Sequence, residues 1–318
     1  MKKFAAILLT LCLVLSLASF AVAEEAINVY ALKGPTGIGL VKVMNDNDGT
    51  YNITLAGAPD EVVSAVASGN ADIAAVPTNL AATLYNKTQG KVQLVALNTL
   101  GVLHIVTSDP AIQSLSDLEG KTLWATGQGS TPEYVLNYIL EANGLADKVE
   151  VQYLAEHAEL ATQAASGMVD VALLPEPHVT SVLNQNKDFR IALDVTELFN
   201  QAAAGKGENA VLSMGCVIVN REWAENNADK LAAFMDAYAA SVEFVNTNVD
   251  EASKMVEAQG IIPKAAVAKK AIPNCHIVFV TGEEMKTQIA PFFQVLYNAN
   301  PKSVGGSLPV DDFYYIAK

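Results

Sequence analysis

The chain repeats itself at an offset of 98 residues, and that repeat limits what it can fold into more than any other feature. The stretch YNITLAGAPDEVVSAVASGNADIAAVP, Tyr51 to Pro77, aligns with VEVQYLAEHAELATQAASGMVDVALLP, Val149 to Pro175. Matched positions pair Glu61 with Glu159, Ala67-Ser68-Gly69 with Ala165-Ser166-Gly167, Asp72 with Asp170, Ala74 with Ala172, and Pro77 with Pro175. Each copy reads as a short alternating strand (Ile53, Leu55; Val151, Tyr153), then an amphipathic helix (Val62, Val63, Val66; Leu160, Ala161, Ala164). A Ser-Gly stop and a continuous apolar run follow. The glycine can take the left-handed conformation that ends a helix, and Ile73 to Val76 and Val171 to Leu174 suit central strands buried on both faces.

Upstream of each copy, a strand leads through a glycine-bearing loop into a helix. Ile27 to Ala31 runs through Gly34-Pro35-Thr36-Gly37 to a helix around Ile38 to Met44. Thr122 to Ala125 runs through Gly127-Gln128-Gly129-Ser130-Thr131-Pro132 to a helix around Tyr134 to Glu141, stopped by Gly144. The expected fold class is α/β, with two similar lobes joined by a two-crossing hinge. The expected division is an export segment at 1–23, a first lobe from 24–108 and 217–318, and a second lobe from 109–216. The hinge crossings are expected at about Thr107 to Pro110 and Val211 to Cys216. A helix capped near Asn227 and smaller elements at Ala266–Ala271, Ile277–Val280 and Met285–Tyr297 complete the first lobe, and Phe313, Tyr314 and Tyr315 pack back on it.

Charge and targeting narrow the function. With 20 basic and 34 acidic side chains the formal charge is −14, so nucleic acid, whose phosphates need Lys and Arg, is not an expected partner. Lys2 and Lys3, an apolar run from about Phe4 to Leu17 and the end Ala21-Val22-Ala23 read as a secretory signal cleaved after Ala23, which leaves a charge of −16. Leu11 precedes Cys12 inside the apolar run, so the segment lacks the small residue a lipoprotein signal needs. The mature chain is expected to be exported, periplasmic or at the cell surface, soluble and monomeric. Cys216 and Cys275 remain after cleavage, and two readings stay open: one disulfide, or two separate buried thiols.

In open α/β sheets ligands bind beyond the carboxyl ends of the strands. That rule selects Lys33, Gly34, Pro35, Thr36, Gly37, Thr78, Asn79, Gln128, Gly129, Ser130, Thr131 and Glu176. Helix N-termini and hydroxyls there suit a small polar solute, since such ends present free N–H groups and partial positive charge. Glu176 occupies the place of Thr78 in the other copy, where it could accept from an amine or ring N–H or pair with Lys33 across the cleft. Enzyme signatures are weak: GQGS is not GxSxG, position 132 is Pro where the dinucleotide fingerprint needs a third glycine, and no Walker lysine follows. His104, His157, His178 and His276 are scattered in sequence, so no metal and no cofactor is expected. A Cys216/His276 nucleophile and base pair has no support from spacing.

The export signal, two α/β lobes, the GPTG loop, the paired Ser-Gly units and LPEPHVT (Leu174 to Thr180) together resemble the solute-binding proteins of ABC importers. Among these, the chain is similar to the nitrate/sulfonate/taurine and thiamine-pyrimidine precursor group, with the type II binding-protein fold. The resemblance extends through MGCVIVNREWAENNADKLAAFMDAY (Met214 to Tyr238). It implies ligand contacts from Gly34 to Gly37, Thr78, Asn79, Gln128 to Thr131 and Glu176, and a membrane permease as partner. It also implies an alternative, an enzyme on the same fold acting in thiamine-pyrimidine metabolism, although the cysteine-rich iron motif of the fungal synthase of that kind is missing here. Gram-positive relatives are usually lipoproteins. The missing lipobox leaves open a free periplasmic protein, a secreted one, or one held by an uncleaved signal.

Overall fold

The computed structural model describes residues 25–317; the export segment expected at 1–23 lies outside them. The first unit of the repeat runs β1 (Ile27–Leu32), α1 (Pro35–Ile38), α2 (Val41–Asn45), β2 (Tyr51–Ala56), α3 (Pro59–Ala67), β3 (Ile73–Pro77) and α4 (Thr78–Lys87). Strands β4 (Val92–Leu100) and β5 (Leu103–Thr107) lead into the second unit. That unit runs β6 (Thr122–Thr126), α5 (Thr131–Ala142), β7 (Glu150–Leu154), α6 (His157–Ala165), β8 (Val171–Pro175), α7 (His178–Gln185), β9 (Arg190–Asp194) and α8 (Val195–Gly205). The chain returns through β10 (Ser213–Asn220) to α9 (Arg221–Asn226), α10 (Ala228–Thr247), α11 (Val249–Ala258), α12 (Ala265–Ala271), β11 (Ile277–Thr281) and α13 (Gly282–Ala299).

The repeat is a structural one. The Ser-Gly stops behave identically: Ser68 and Ser166 cap their helices, and Gly69 and Gly167 both adopt φ of 76°. The described strands form two sheets, ordered β11-β4-β10-β3-β1-β2 and β7-β6-β8-β5-β9. In each sheet the repeated strands are parallel (β1 with β2 and β3; β6 with β7 and β8), which agrees with the continuous apolar sequence of β3 and β8. Next to them, each sheet admits one antiparallel strand that the chain delivers from the other lobe: β10 beside β3, and β5 beside β8. One expected element starts early. The helix expected around Ile38 to Met44 is two short ones, Pro35–Ile38 and Val41–Asn45: proline's fixed φ suits the first turn, Gly34 at φ 98° supplies the turn before it, and Gly39 and Leu40 separate the two.

These exchanged strands displace the expected boundaries. Leu103–Thr107, expected in the first lobe, is a central strand of the second sheet, and the chain leaves the first sheet at Gly101-Val102. Ser213–Cys216, expected in the second lobe, already pairs with β3 and β4 of the first sheet. Both crossings therefore fall earlier in the chain than the sequence suggests. At the first of them a Cβ on Gly101 would lie 2.0 Å from Thr196 Oγ1, so the residue must be glycine for the strand to pass α8.

Helices cover both faces of each sheet. The outer faces keep separate cores, around Ile38, Phe234 and Tyr238 in the first lobe and around Leu160, Val179 and Phe189 in the second. The inner faces merge into one apolar cluster across the seam, where Phe199 of α8 packs edge-on against Phe292 of α13 at 5.7 Å and at a tilt of 39° against Tyr138 of α5 at 5.2 Å. Cys216 and Cys275 are free and fully buried, which settles the open alternative in favour of separate thiols. Among the described residues no helix is long and apolar enough to cross a membrane.

Candidate functional site

The carboxyl ends of β1 and β3 carry the first-lobe candidates, and most of their polar groups are already engaged. Thr36 gives its hydroxyl to Leu32 O at 3.4 Å, and its own carbonyl accepts from Asn98 Nδ2 at 3.3 Å. Gly37 approaches the chain so closely that a Cβ would lie 2.5 Å from Leu32 O. Pro35 opens α1 beside Gly34. Thr78 is buried and shares a 2.8 Å hydrogen bond with Ser213, while Asn79 Nδ2 donates to Ser303 O at 3.4 Å. Behind them Gly215 leaves no room for a side chain, since a Cβ there would meet Thr36 Cγ2 at 2.4 Å and Asn98 Oδ1 at 2.5 Å. Lys33 alone is exposed.

The second-lobe candidates follow β6 and β8. Gly127 and Gly129 take positive φ, near 76° and 75°, and turn the loop back on itself. Within it Ser130 donates its hydroxyl to Gly127 O at 2.6 Å, and the Gly129 N–H donates to Glu133 Oε2 at 2.6 Å. Gln128 and Gly129 are exposed and Thr131 is buried. Tyr134 ties this loop to the first lobe: its hydroxyl donates to Gly129 O at 3.0 Å and accepts from Asn300 Nδ2 at 3.3 Å. A groove of about 430 Å³ flanks this contact, lined among others by Glu133, Tyr134, Tyr138, Lys206, Glu208 and Asn300. Another cavity, of about 590 Å³, lies by Tyr85, Gly90, Arg221 and Asp312, near the amino end of β4, at the opposite end of the first sheet's strands from the loops after β1 and β3.

Glu176 is only 1% exposed. Its Oε2 accepts from the Thr180 N–H at 3.1 Å and its Oε1 from the Thr180 hydroxyl at 2.9 Å, so it caps α7. Oε1 also accepts from Asn274 Nδ2 of the first lobe at 3.3 Å, which makes Glu176 an interlobe contact. Of the two alternatives for Glu176, the pair with Lys33 is not formed: the carboxylate turns inward over its own helix while Lys33 faces solvent. Burial pushes the Glu176 pKa up, and the bonds from Thr180 and Asn274 oppose that rise. A second interlobe bond follows along α7, from Lys270 Nζ to Asn184 Oδ1 at 2.5 Å.

Sequence reading missed a histidine pair. His157 opens α6 after β7, and His178 opens α7 after β8; their rings stand 5.6 Å apart and Thr126 hydrogen-bonds His157 Nδ1. Burial lowers both pKa values, that of His178 to about 4 with His157 adding to the effect, so both rings are neutral near pH 7. The rule that selected the loops after β6 and β8 reaches His157 once it is applied to the neighbouring β7. Among the described residues no group of three or more His, Cys, Asp and Glu is placed to hold a metal ion. Cys216, the imagined nucleophile, donates to Val76 O at 3.7 Å, and burial pushes its pKa far up.

Solved structures share this fold. An ABC transporter protein from Parabacteroides distasonis superposes with a TM-score of 0.79 at 24% identity, covering 93% of this chain and 100% of that one. The periplasmic aliphatic sulphonate binding protein SsuA from Escherichia coli gives 0.69 at 15% identity, over 92% and 96% of the two chains. A protein named desulfurization enzyme DSZB gives 0.63 at 11% identity, over 91% and 96%. No curated protein sequence matches the chain. Residues 50–272 match the family described as "ABC transporter, phosphonate, periplasmic substrate-binding protein". That match runs from β2 to α12 and takes in residues of both lobes, and the chain belongs to this family of ABC-transporter substrate-binding proteins.

Proposed function

We propose that this chain is the extracytoplasmic receptor of an ABC importer, capturing a small polar organic solute between its lobes and presenting it to a membrane permease. The solutes in view are of the sulfonate, nitrate or taurine kind, or a pyrimidine precursor. One observation supports the reading: among the described residues the second lobe reaches the first through Glu176–Asn274, in the loop after β8, and Tyr134–Asn300, in the helix after β6, and the chain crosses between the two sheets twice. A ligand touching both sides favours the closed arrangement by its differential affinity for that state. On this reading the chain works as a monomer without cofactor or nucleic acid, and its signal is removed after Ala23 without lipidation.

A thermal-shift screen of residues 24–318 tests the proposal. Sulfonates, nitrate, taurine, amino acids and pyrimidines form the panel. A ligand that binds only the folded state stabilises it by about 3 kcal/mol at a hundredfold excess over Kd, and the melting temperature rises accordingly. The expected result is a shift confined to one chemical class, with the compound recovered unchanged; conversion of the compound would instead support an enzyme.

A further inference from the structure

The first crossing between the lobes is held from both sides. The chain leaves the first sheet at Gly101-Val102, and each of these two carbonyls is taken by a different lobe. The Gly101 carbonyl accepts from the ring Nδ1 of His276 in the first lobe, and the Val102 carbonyl accepts from the Glu176 N–H of the second at 3.0 Å. His276 is anchored for this contact: Cys275 and Ile277 on either side of it are buried in the first-lobe core, and its own carbonyl accepts from the Leu100 N–H at 3.1 Å. Its backbone has φ 42°, a left-handed conformation that a histidine keeps only where its surroundings enforce it. On the second-lobe side of the same crossing, two buried polar groups have no hydrogen-bond partner among the described residues. The Thr196 hydroxyl oxygen, in the first turn of α8, makes no bond although it stands 2.0 Å from where a Cβ on Gly101 would lie. His104, in β5, bonds through neither ring nitrogen, and Asp194 Oδ2 is 4.0 Å away, about 1 Å beyond hydrogen-bond reach.

We infer that the Gly101 carbonyl works a two-position catch on the hinge: His276 holds it in this structure, and Thr196 takes it when the lobes turn about Gly101-Val102. The two donors approach Gly101 from opposite lobes, so a change of partner accompanies relative motion, and only glycine leaves Thr196 room to come this close. The first position carries the left-handed backbone of His276 and the unbonded hydroxyl of Thr196; the second relieves both. Exchanging one hydrogen bond for another keeps the two positions close in free energy, which lets a solute with modest differential affinity shift the balance. The inference rests on the receptor reading and adds the residues that set its balance between lobe positions. His276 and Thr196 are positioning residues, acting through the crossing rather than on the solute.

Double electron–electron resonance between spin labels at Lys87→Cys and Met168→Cys tests this without a solute. Both positions are exposed, one at the end of α4 in the first lobe and one beyond the Ser-Gly stop in the second, while Cys216 and Cys275 are fully buried and escape the label. In this doubly labelled parent, Thr196→Val removes the hydroxyl at nearly constant volume, and His276→Gly removes the ring while suiting the positive φ. The expected result is two interlobe distances whose ratio moves in opposite directions, by roughly two- to tenfold in each variant, the scale of one net hydrogen bond. Thr196→Val depletes the second distance and His276→Gly enriches it. Urea denaturation should find Thr196→Val at least as stable as the parent, since the hydroxyl makes no bond in this position. If His276→Gly does not fold, the test stands on Thr196→Val: depletion of the second distance supports the catch and an unchanged ratio overturns it. Shifts in the same direction, a single distance throughout, or a Thr196→Val less stable than the parent likewise overturns it. Each of these leaves the receptor reading standing, because that reading is tested by binding and closure with solute present.

Discussion

At the residue scale, the polar side chains beyond the strand ends are satisfied within the chain, mostly by backbone carbonyls. Thr36, Thr78, Asn79 and Ser130 were all legible as polar residues beyond strand ends, but the sequence could not show that Leu32, Ser213, Ser303 and Gly127 take up their hydrogen bonds. Glu176 stood out because its repeat partner is Thr78; that it turns back over α7 depends on Thr180, four residues on. The histidine pair was invisible because His157 and His178 meet only through the packing of α6 on α7. The pair makes stability depend on pH. His178 titrates at about 4 when folded against 6.5 for the free side chain, so between those values the unfolded chain binds the extra proton and stability falls as pH falls. The loss at pH 4 should be on the order of 2 to 3 kcal/mol. Glu176 has the opposite sign, since its raised pKa makes stability decline as pH climbs through the range just above 4.5. Urea denaturation of His178→Asn should show a shallower acid limb than the wild type; an identical limb would mean that His178 does not titrate as its burial requires.

At the scale of elements, the repeat did most of the work. Paired Ser-Gly stops, apolar β3 and β8 and the loops ahead of them were readable because local rules set them: left-handed glycine caps, periodicity, and proline in a first turn. Which sheet β5 and β10 join was not readable, because both are apolar strands whose flanking sequence is the same whether they stay or cross. The merging of the inner cores was equally hidden, since Phe199 and Phe292 lie far apart in the chain and meet only when α8 packs on α13. Phe292 is fully buried in that cluster, so Phe292→Ala should cost about 3 to 5 kcal/mol through lost burial and the cavity left behind. Chemical denaturation measures this directly, and a cost below about 1 kcal/mol would show that the two inner cores do not depend on each other.

At the scale of the molecule, an apolar cluster joins the lobes along one side of the seam, and the bonds Glu176–Asn274 and Tyr134–Asn300 join them on its polar side. With only two chain crossings, at Gly101-Val102 and before Ser213, relative motion of the lobes requires few backbone changes. The receptor account therefore turns on closure: solute bound between the lobes must make the molecule more compact. Small-angle X-ray scattering of residues 24–318, with and without a solute that stabilises the fold, measures this most directly. The account expects the radius of gyration to contract on saturation and to recover when the solute is removed. An unchanged radius with the solute fully bound would contradict capture between the lobes.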